Sequence, residues 1–141
     1  MSVELIKICR NNEWFFDGCQ IEVLNSLSYL GITLLFNGKF TKTQNIISMQ
    51  GRKCMYGIAK TFMNENLNVE TKLSVFDTYI SSILNYGCEI WGFDKAKDVE
   101  KVHTDFCKRI LNVKGTTSNY MIYSELGRVP LHIIRKIRIM K

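Results

Sequence analysis

The fold is decided by the stretch LNYGCEIWGFDKAKDVEKVHTDFCKRIL, residues 84–111. Its first part joins Tyr86-Gly87 to Trp91 at the end of an apolar helical pattern, and its second part is amphipathic from about Asp98. In the second part apolar residues recur every three or four positions, which predicts one buried helix face. That face consists of Val99, Val102, Phe106, Ile110 and Val113. Two helices with apolar faces must pack against further elements, so the stretch predicts a helical bundle.

Upstream of this stretch the helical period begins after residue 40. Thr41 and Thr43 are suitable N-caps for a first helix, which ends before a loop at residues 64–68. A second helix opens near Val69 and runs to about Trp91, with Gly87 allowing close packing. The residues predicted to face inward are Ile47, Cys54, Ile58 and Phe62 on the first helix and Leu73, Phe76, Ile80, Ile83 and Gly87 on the second.

Downstream, the chain continues with two shorter helices. Lys114-Gly115 closes the helix that begins near residue 98, since glycine commonly ends helices. Ser118 caps a short helix that reaches Leu126, and Pro130 opens a last helix that continues to Lys141. The packed face of the last helix is predicted to hold Leu131, Ile134, and Ile137 or Met140.

The first forty residues have the period of β-strands. Asp17-Gly18 separates two apolar runs, which is a strong hairpin signal because both positions tolerate positive φ. Further strands are predicted over residues 3–8 and from Ser28 to Leu35. The chain is therefore predicted to be α+β, with a small antiparallel sheet of three or four strands over residues 1–39 and about five helices over residues 40–141.

The composition is that of a folded chain with a basic end. It has 141 residues, of which 46% are hydrophobic and 11% aromatic. No run approaches the roughly 18 apolar residues of a membrane span, and five cysteines without paired spacing indicate a reduced intracellular compartment. Residues 1–100 carry 10 Lys/Arg against 11 Asp/Glu, whereas residues 101–141 carry 9 against 2. This concentration of positive charge predicts contact with nucleic acid.

Three motifs occur in an order that is similar to one known family. They are Tyr29-Leu30-Gly31-Ile32, the block from Leu73 to Leu111, and the run from Tyr123 to Leu131 that contains Glu125-Leu126-Gly127. Over nearly its whole length the chain resembles the region just past the polymerase palm in reverse transcriptases of non-LTR (LINE-like) retrotransposons. The resemblance implies a palm-edge hairpin and a thumb, and we expect both ends to be cut from a larger enzyme.

The resemblance implies two kinds of contact with a primer–template duplex. Tyr29, Leu30 and Gly31 would form a primer grip, in which glycine lets the backbone approach the nucleic acid closely. Polymerase thumbs also lay a helix along the minor groove and contact phosphates, which position a duplex without reading its sequence. The candidates for these contacts are Lys42, Arg52, Lys53, Lys60, Lys101, Lys108 and Arg109. Lys53 and Lys60 share a helix face, as do Lys101 and Lys108.

Each of these motifs also has a simpler interpretation. Tyr29-Leu30-Gly31 is compatible with an ordinary strand with a bulge glycine, and the lysines with a solvated helix face on which Asp105 pairs with its neighbours. His103 and Cys107 stand four residues apart, but a zinc site needs four ligands and no second pair lies nearby. We therefore predict no metal and no cofactor.

The resembled enzymes hold paired Mg²⁺ ions with an aromatic-x-Asp-Asp hairpin and an earlier aspartate. This chain has no two adjacent acidic residues. We therefore expect a fragment that helps to hold the duplex without catalytic activity of its own. Two alternatives remain: a protein-interaction module derived from a transposon remnant, and a stand-alone basic domain that binds RNA or DNA.

Overall fold

The computed structural model describes residues 14–62 and 67–141 of the chain. It divides into two compact units, Met1–Phe40 and Thr41–Lys141. The fold is α+β, as predicted, because β-hairpins occupy the first unit and helices the second. The strand predicted over residues 3–8 and most of the loop predicted over residues 64–68 lie outside the described residues.

The first hairpin is the one that Asp17-Gly18 predicts. Strand β1 (Trp14–Phe16) pairs antiparallel with β2 (Cys19–Ile21), and the register brings Phe16 opposite Cys19. The two turn residues have φ of 50° and 77°. Both values are positive, as the favoured two-residue turns require.

The second hairpin replaces the single strand predicted from Ser28 to Leu35. Strand β3 (Ser26–Tyr29) pairs antiparallel with β4 (Ile32–Leu35), and the chain reverses at Leu30-Gly31 with φ of 47° and 77°. Leucine rarely adopts positive φ, so the sequence carries no conventional turn signal at this point. Among the described residues the strands form two separate two-stranded sheets rather than one sheet of three or four strands.

The helical unit begins with α1 (Thr41–Phe62) and continues with α2, a helical run of three consecutive segments. These segments are Val69–Val75, the π-helical turn Phe76–Ile80, and Ser81–Leu84. The remaining helices are α3 (Cys88–Trp91), α4 (Lys97–Ile110), α5 (Asn119–Glu125) and α6 (Leu131–Ile139). Within the described ranges, none of these helices has the length and apolar character needed to cross a membrane.

The helix predicted from Val69 to about Trp91 is broken after Leu84. Gly87 has φ of 59°, a left-handed conformation that ends one helix and precedes α3. Gly87 therefore supplies the positive φ at this corner, and its role in close helix packing stays a prediction. The buried indole of Trp91 donates from Nε1 to the carbonyl oxygen of Tyr86 at 2.8 Å, which holds the corner, while the Tyr86 ring is exposed.

Two helix ends use the same backbone motif. Helix α4 ends at Ile110, Asn112 follows its C-cap with φ of 51°, and the amide of Val113 donates to the Lys108 carbonyl at 3.1 Å. The predicted closure at Lys114-Gly115 is wrong because asparagine also adopts the left-handed conformation that this motif needs. Helix α5 ends as predicted, with Gly127 at φ of 60° and the Arg128 amide donating to Tyr123.

The core of the helical unit lies where α1, α2 and α4 meet. Its buried residues are Ile47, Gly51 and Met55 from α1, Phe76, Ile80 and Leu84 from α2, and Val99, Val102 and Phe106 from α4.

Several residues predicted to be inward are not fully buried. Cys54, Ile58, Leu73, Ile83 and Ile110 are only half-buried, and Val113 is exposed and lies beyond the helix. The π-helical turn inserts an extra residue into α2. This shifts the buried face by one position, so that Leu84 is buried where Ile83 was predicted.

The last helix buries a charge that its apolar pattern does not predict. Leu131 is fully buried and Ile134 half-buried, but Ile137 and Met140 are 49% and 78% exposed. Arg135 is instead fully buried, with its guanidinium carbon 5.4 Å from the centre of the Trp91 ring. A cation over an indole face is a favourable arrangement, which accounts for part of this burial.

Gly51 is expected to be indispensable for the approach of α1 to α2. A Cβ at this position would lie within 3.0 Å of the Leu84 side chain, which is fully buried, so this side chain would have to shift inside the core. Gly51→Ala should lower the free energy of unfolding by about 1–3 kcal/mol in urea titrations followed by circular dichroism.

Gly57 is the matched control, because it lies in the same helix and a Cβ there meets nothing within 4 Å. Gly57→Ala should raise the free energy of unfolding by about 0.5–1 kcal/mol. Equal stability changes in the two variants would contradict the close approach of the two helices.

Candidate nucleic-acid interface

One face of α1 carries two of the predicted lysines and an aromatic ring between them. Lys53 and Lys60 are exposed and seven residues apart, and Tyr56, which is 55% exposed, lies within one turn of each. The guanidinium carbon of Arg109, from α4, stands 4.6 Å from the centre of the Tyr56 ring. The structure thus brings three predicted cations from two helices to one exposed tyrosine. We call Lys53, Tyr56, Lys60 and Arg109 the basic-aromatic face.

The other predicted pair on α4 lines a separate groove. Lys101 and Lys108 belong to the wall of a groove of about 390 Å³ next to α5. Lys108 donates from Nζ to the carbonyl oxygen of Gly115 at 2.6 Å, which ties the chain after α4 back to the helix. The remaining lining residues are Lys97, Glu100, Thr104, Asp105, Gly115 and Asn119. Because the Lys108 ammonium group already donates to Gly115, Lys101 is the better candidate of the two for a phosphate contact.

Two further predicted cations lie apart from these groups. Lys42 is exposed in the first turn of α1. Arg52 is half-buried, and its Nε atom is enclosed without a hydrogen-bond partner. Because its side chain is partly withdrawn from solvent, Arg52 is a poorer candidate for a phosphate contact than Lys53 beside it.

The predicted primer-grip residues lie at the tip of the second hairpin. Tyr29 is 65% exposed and Leu30 is 71% exposed, and Leu30-Gly31 form the turn itself. Their backbone is therefore at a surface that another molecule can approach. They are placed in a different unit from the basic-aromatic face.

The carboxylate of Glu100 organises the part of the helical unit around the groove. Its Oε1 accepts hydrogen bonds from the Tyr123 hydroxyl at 2.9 Å and from the Leu131 amide at 2.9 Å. Its Oε2 accepts from the His132 amide at 3.2 Å. One side chain of α4 thereby binds α5 and satisfies the first amides of α6, whose preceding Pro130 makes no side-chain cap.

These contacts keep the carboxylate ionised. Burial alone would raise the pKa of Glu100, but nearby His103, the Tyr123 hydroxyl and the Leu131 amide together lower it from 4.5 to about 2. The imidazole Nδ1 of His103 lies 4.0 Å from Oε1, beyond hydrogen-bond distance, so its effect is electrostatic. Burial, together with the negative Glu100, raises the pKa of the Tyr123 hydroxyl, which therefore stays a hydrogen-bond donor.

His103 and Cys107 form part of the core. The His103 ring lies 5.0 Å from the centre of the Phe76 ring and 5.3 Å from that of Tyr123, and it is fully buried. Burial raises the pKa of Cys107 to about 12, so its thiol is protonated at neutral pH. Over residues 14–62 and 67–141, no three His, Cys, Asp or Glu side chains are grouped closely enough to hold a metal ion.

Three residues that shape this part of the molecule, Tyr56, Glu100 and Arg135, were not predicted from the sequence. Tyr56 could have been found, because it lies between Lys53 and Lys60 at helical spacing. Glu100 and Arg135 carry no comparable signal, since a glutamate in a first turn and an arginine in a basic helix are ordinary surface residues. Their roles depend on contacts between helices that are distant in sequence.

Comparison of the chain with models of known protein families, with curated proteins and with solved structures found no match. A function can therefore be proposed only from the sequence motifs and from the positions of the charged and aromatic side chains in the fold.

The Glu100 carboxylate should make stability sensitive to acid. Because its pKa is lower in the folded protein than the ordinary value of 4.5, its contribution is complete above pH 4.5 and is lost as the pH falls toward 2. Glu100→Gln should lower the free energy of unfolding at pH 7 by about 2–3 kcal/mol. The difference between the two proteins should shrink steadily between pH 4.5 and pH 2.

Urea titrations at a series of pH values, followed by circular dichroism, measure this difference. Glu125→Gln removes an exposed carboxylate and serves as the control, with little change expected at any pH. A constant gap between the parent and Glu100→Gln across the acid range would show that the carboxylate is not specifically stabilised by folding.

Proposed function

We propose that this chain is the palm-edge and thumb region of a non-LTR retrotransposon reverse transcriptase, and that it helps to hold an RNA/DNA duplex. It does so by phosphate contacts and has no catalytic activity alone. The order of hairpins followed by a helical bundle agrees with the order that the motif resemblance implies. The absence of adjacent acidic residues in the sequence supports a holding role rather than a catalytic one.

The observation that carries the proposal is the basic-aromatic face. Lys53 and Lys60 extend from one side of a helix of 22 residues, so they can follow a phosphate backbone over two helical turns. Arg109 adds a third cation from α4 and lies against the exposed Tyr56 ring, which restricts the guanidinium. Such contacts fix a duplex in position without selecting a base sequence.

Charge reversal on the basic-aromatic face should weaken duplex binding and its salt dependence together. Lys53→Glu combined with Lys60→Glu should reduce affinity for a labelled RNA/DNA duplex by at least about tenfold at 100 mM salt and lower the salt slope by about two. Fluorescence anisotropy titrations at several salt concentrations measure both quantities.

The matched control is Lys136→Glu with Lys141→Glu, two exposed residues at the far end of the chain. Both double variants change the net charge equally, from +6 to +2, because each substitution replaces one positive charge by one negative charge. The control should keep most of the affinity and the parental slope. An equal loss of affinity in both double variants would show that binding depends on net charge alone, and it would contradict binding through the basic-aromatic face.

A second candidate function is a protein-interaction module, and the hairpin unit provides the observation for it. Each of its sheets has two strands among the described residues, and their apolar side chains are largely exposed. The exposed fractions are 61% for Phe15, 76% for Phe16, 51% for Leu27 and 71% for Leu30. Exposed apolar side chains on two-stranded hairpins, whose outer edges have no further strand among the described residues, are typical of surfaces that associate with another chain.

This alternative predicts self-association through the first hairpin. Sedimentation velocity should show a concentration-dependent dimer that Phe15→Ser with Phe16→Ser abolishes, because the shared apolar surface is lost. Tyr120→Ser with Met121→Ser removes similarly exposed side chains from α5 and should leave the dimer intact. A parent protein that stays monomeric at every concentration would exclude this route.

A further inference from the structure

A cavity of about 240 Å³ lies within the helical unit, between the segment that precedes α4 and the first turns of α6. Its lining residues are Lys95, Ala96, Lys97, Glu100, His132 and Arg135. They belong to one unit, and none is part of the basic-aromatic face. Four of these six side chains are ionisable groups other than the Glu100 carboxylate, namely Lys95, Lys97, His132 and Arg135.

The decisive residue is Arg135. Its side chain is fully buried, yet Nε, Nη1 and Nη2 have no hydrogen-bond partner. Oε2 of Glu100 is 3.8 Å from Nη2, close enough for an ion pair but too far for a hydrogen bond. A buried guanidinium without acceptors is costly. No protein group accepts from its donors, so they can serve a ligand that supplies oxygen atoms.

Glu100 does not fill that role, because its carboxylate is already committed. Its two oxygens accept hydrogen bonds from the Tyr123 hydroxyl and from the amides of Leu131 and His132. These donors and the start of α6 compensate its negative charge. The remaining charges of the cavity wall are Lys95, Lys97 and Arg135, all positive.

The start of α4 adds further donors. Ala96 is its N-cap residue and makes no side-chain cap, and the helix that follows has 14 residues. The amides of the first turn of a helix have no partner within the helix, and the helix dipole favours negative charge there. Ala96 and Lys97 both line the cavity, so the uncapped end and Arg135 border the same space.

We propose that this cavity is a binding site for a phosphate-class oxyanion, either inorganic phosphate or the phosphate group of a small monoester. The guanidinium of Arg135 binds two oxygens of the anion, as its planar fork allows. The α4 amides and the ammonium groups of Lys95 and Lys97 bind the others. This site does not depend on the duplex contacts proposed above.

The first test is a titration of ¹⁵N-labelled protein with sodium phosphate at constant ionic strength, with sodium chloride as the reference. Phosphate should shift the side-chain Nε–H signal of Arg135 and the amide signals of residues 97–99, with saturation at low millimolar concentration. Chloride should not. No saturable shift at these signals, or equal shifts at exposed basic residues throughout the chain, would overturn the proposal.

The second test uses substitutions and calorimetry with inorganic phosphate. Lys95→Ala with Lys97→Ala, both exposed, should weaken binding by about tenfold. The control, Lys136→Ala with Lys141→Ala, should bind like the parent. Arg135→Met should abolish binding if the protein stays folded. If Arg135→Met does not fold, the Lys95→Ala with Lys97→Ala variant provides the test. Unchanged phosphate affinity in that lysine variant would overturn the proposal.

A parallel titration with glycerol phosphate distinguishes the two sources of the anion. Tighter binding than inorganic phosphate would assign the site to a phosphate monoester, and equal or weaker binding would assign it to free phosphate. Both results support an oxyanion site. Failure of both compounds to bind would overturn it.

Discussion

The arrangement of the last three helices depends on the carboxylate of Glu100. It accepts the hydroxyl of Tyr123 from α5 and two amides at the start of α6, and it belongs itself to α4. Hydrogen bonds to a charged, half-buried acceptor are among the stronger polar contacts in proteins. This one side chain links α4 to α5 and α6, and it lines both the groove and the cavity between them.

A buried cation accompanies this buried anion. Arg135 lies over Trp91 and near Glu100, so the centre of the α3–α4–α6 packing contains charge as well as apolar side chains. Buried charges rarely add stability compared with apolar residues of the same size. A binding role would give the buried Arg135 a use besides stability, and this is the basis of the oxyanion site that we propose.

The basic end of the sequence is not a single basic surface. Arg128 forms a two-pronged salt bridge with Asp77, Arg135 is buried, and Lys108 is bound to the Gly115 carbonyl. The basic-aromatic face that we propose for phosphate contacts takes only Arg109 from this end of the sequence. Its two lysines, Lys53 and Lys60, come from a region whose net charge is near zero. The net charge of a segment therefore does not indicate which residues form the proposed face.

Local periodicity and turn chemistry were enough to predict the α+β class, the Asp17-Gly18 hairpin, the helices over their main spans and most of the buried face of α4. The break at Gly87 and the burial of Arg135 became apparent only in the folded chain. The tertiary structure alone also showed Arg109 over Tyr56 and the role of Glu100. These depend on which helices meet, and contacts between residues distant in sequence leave no periodic signal along the chain.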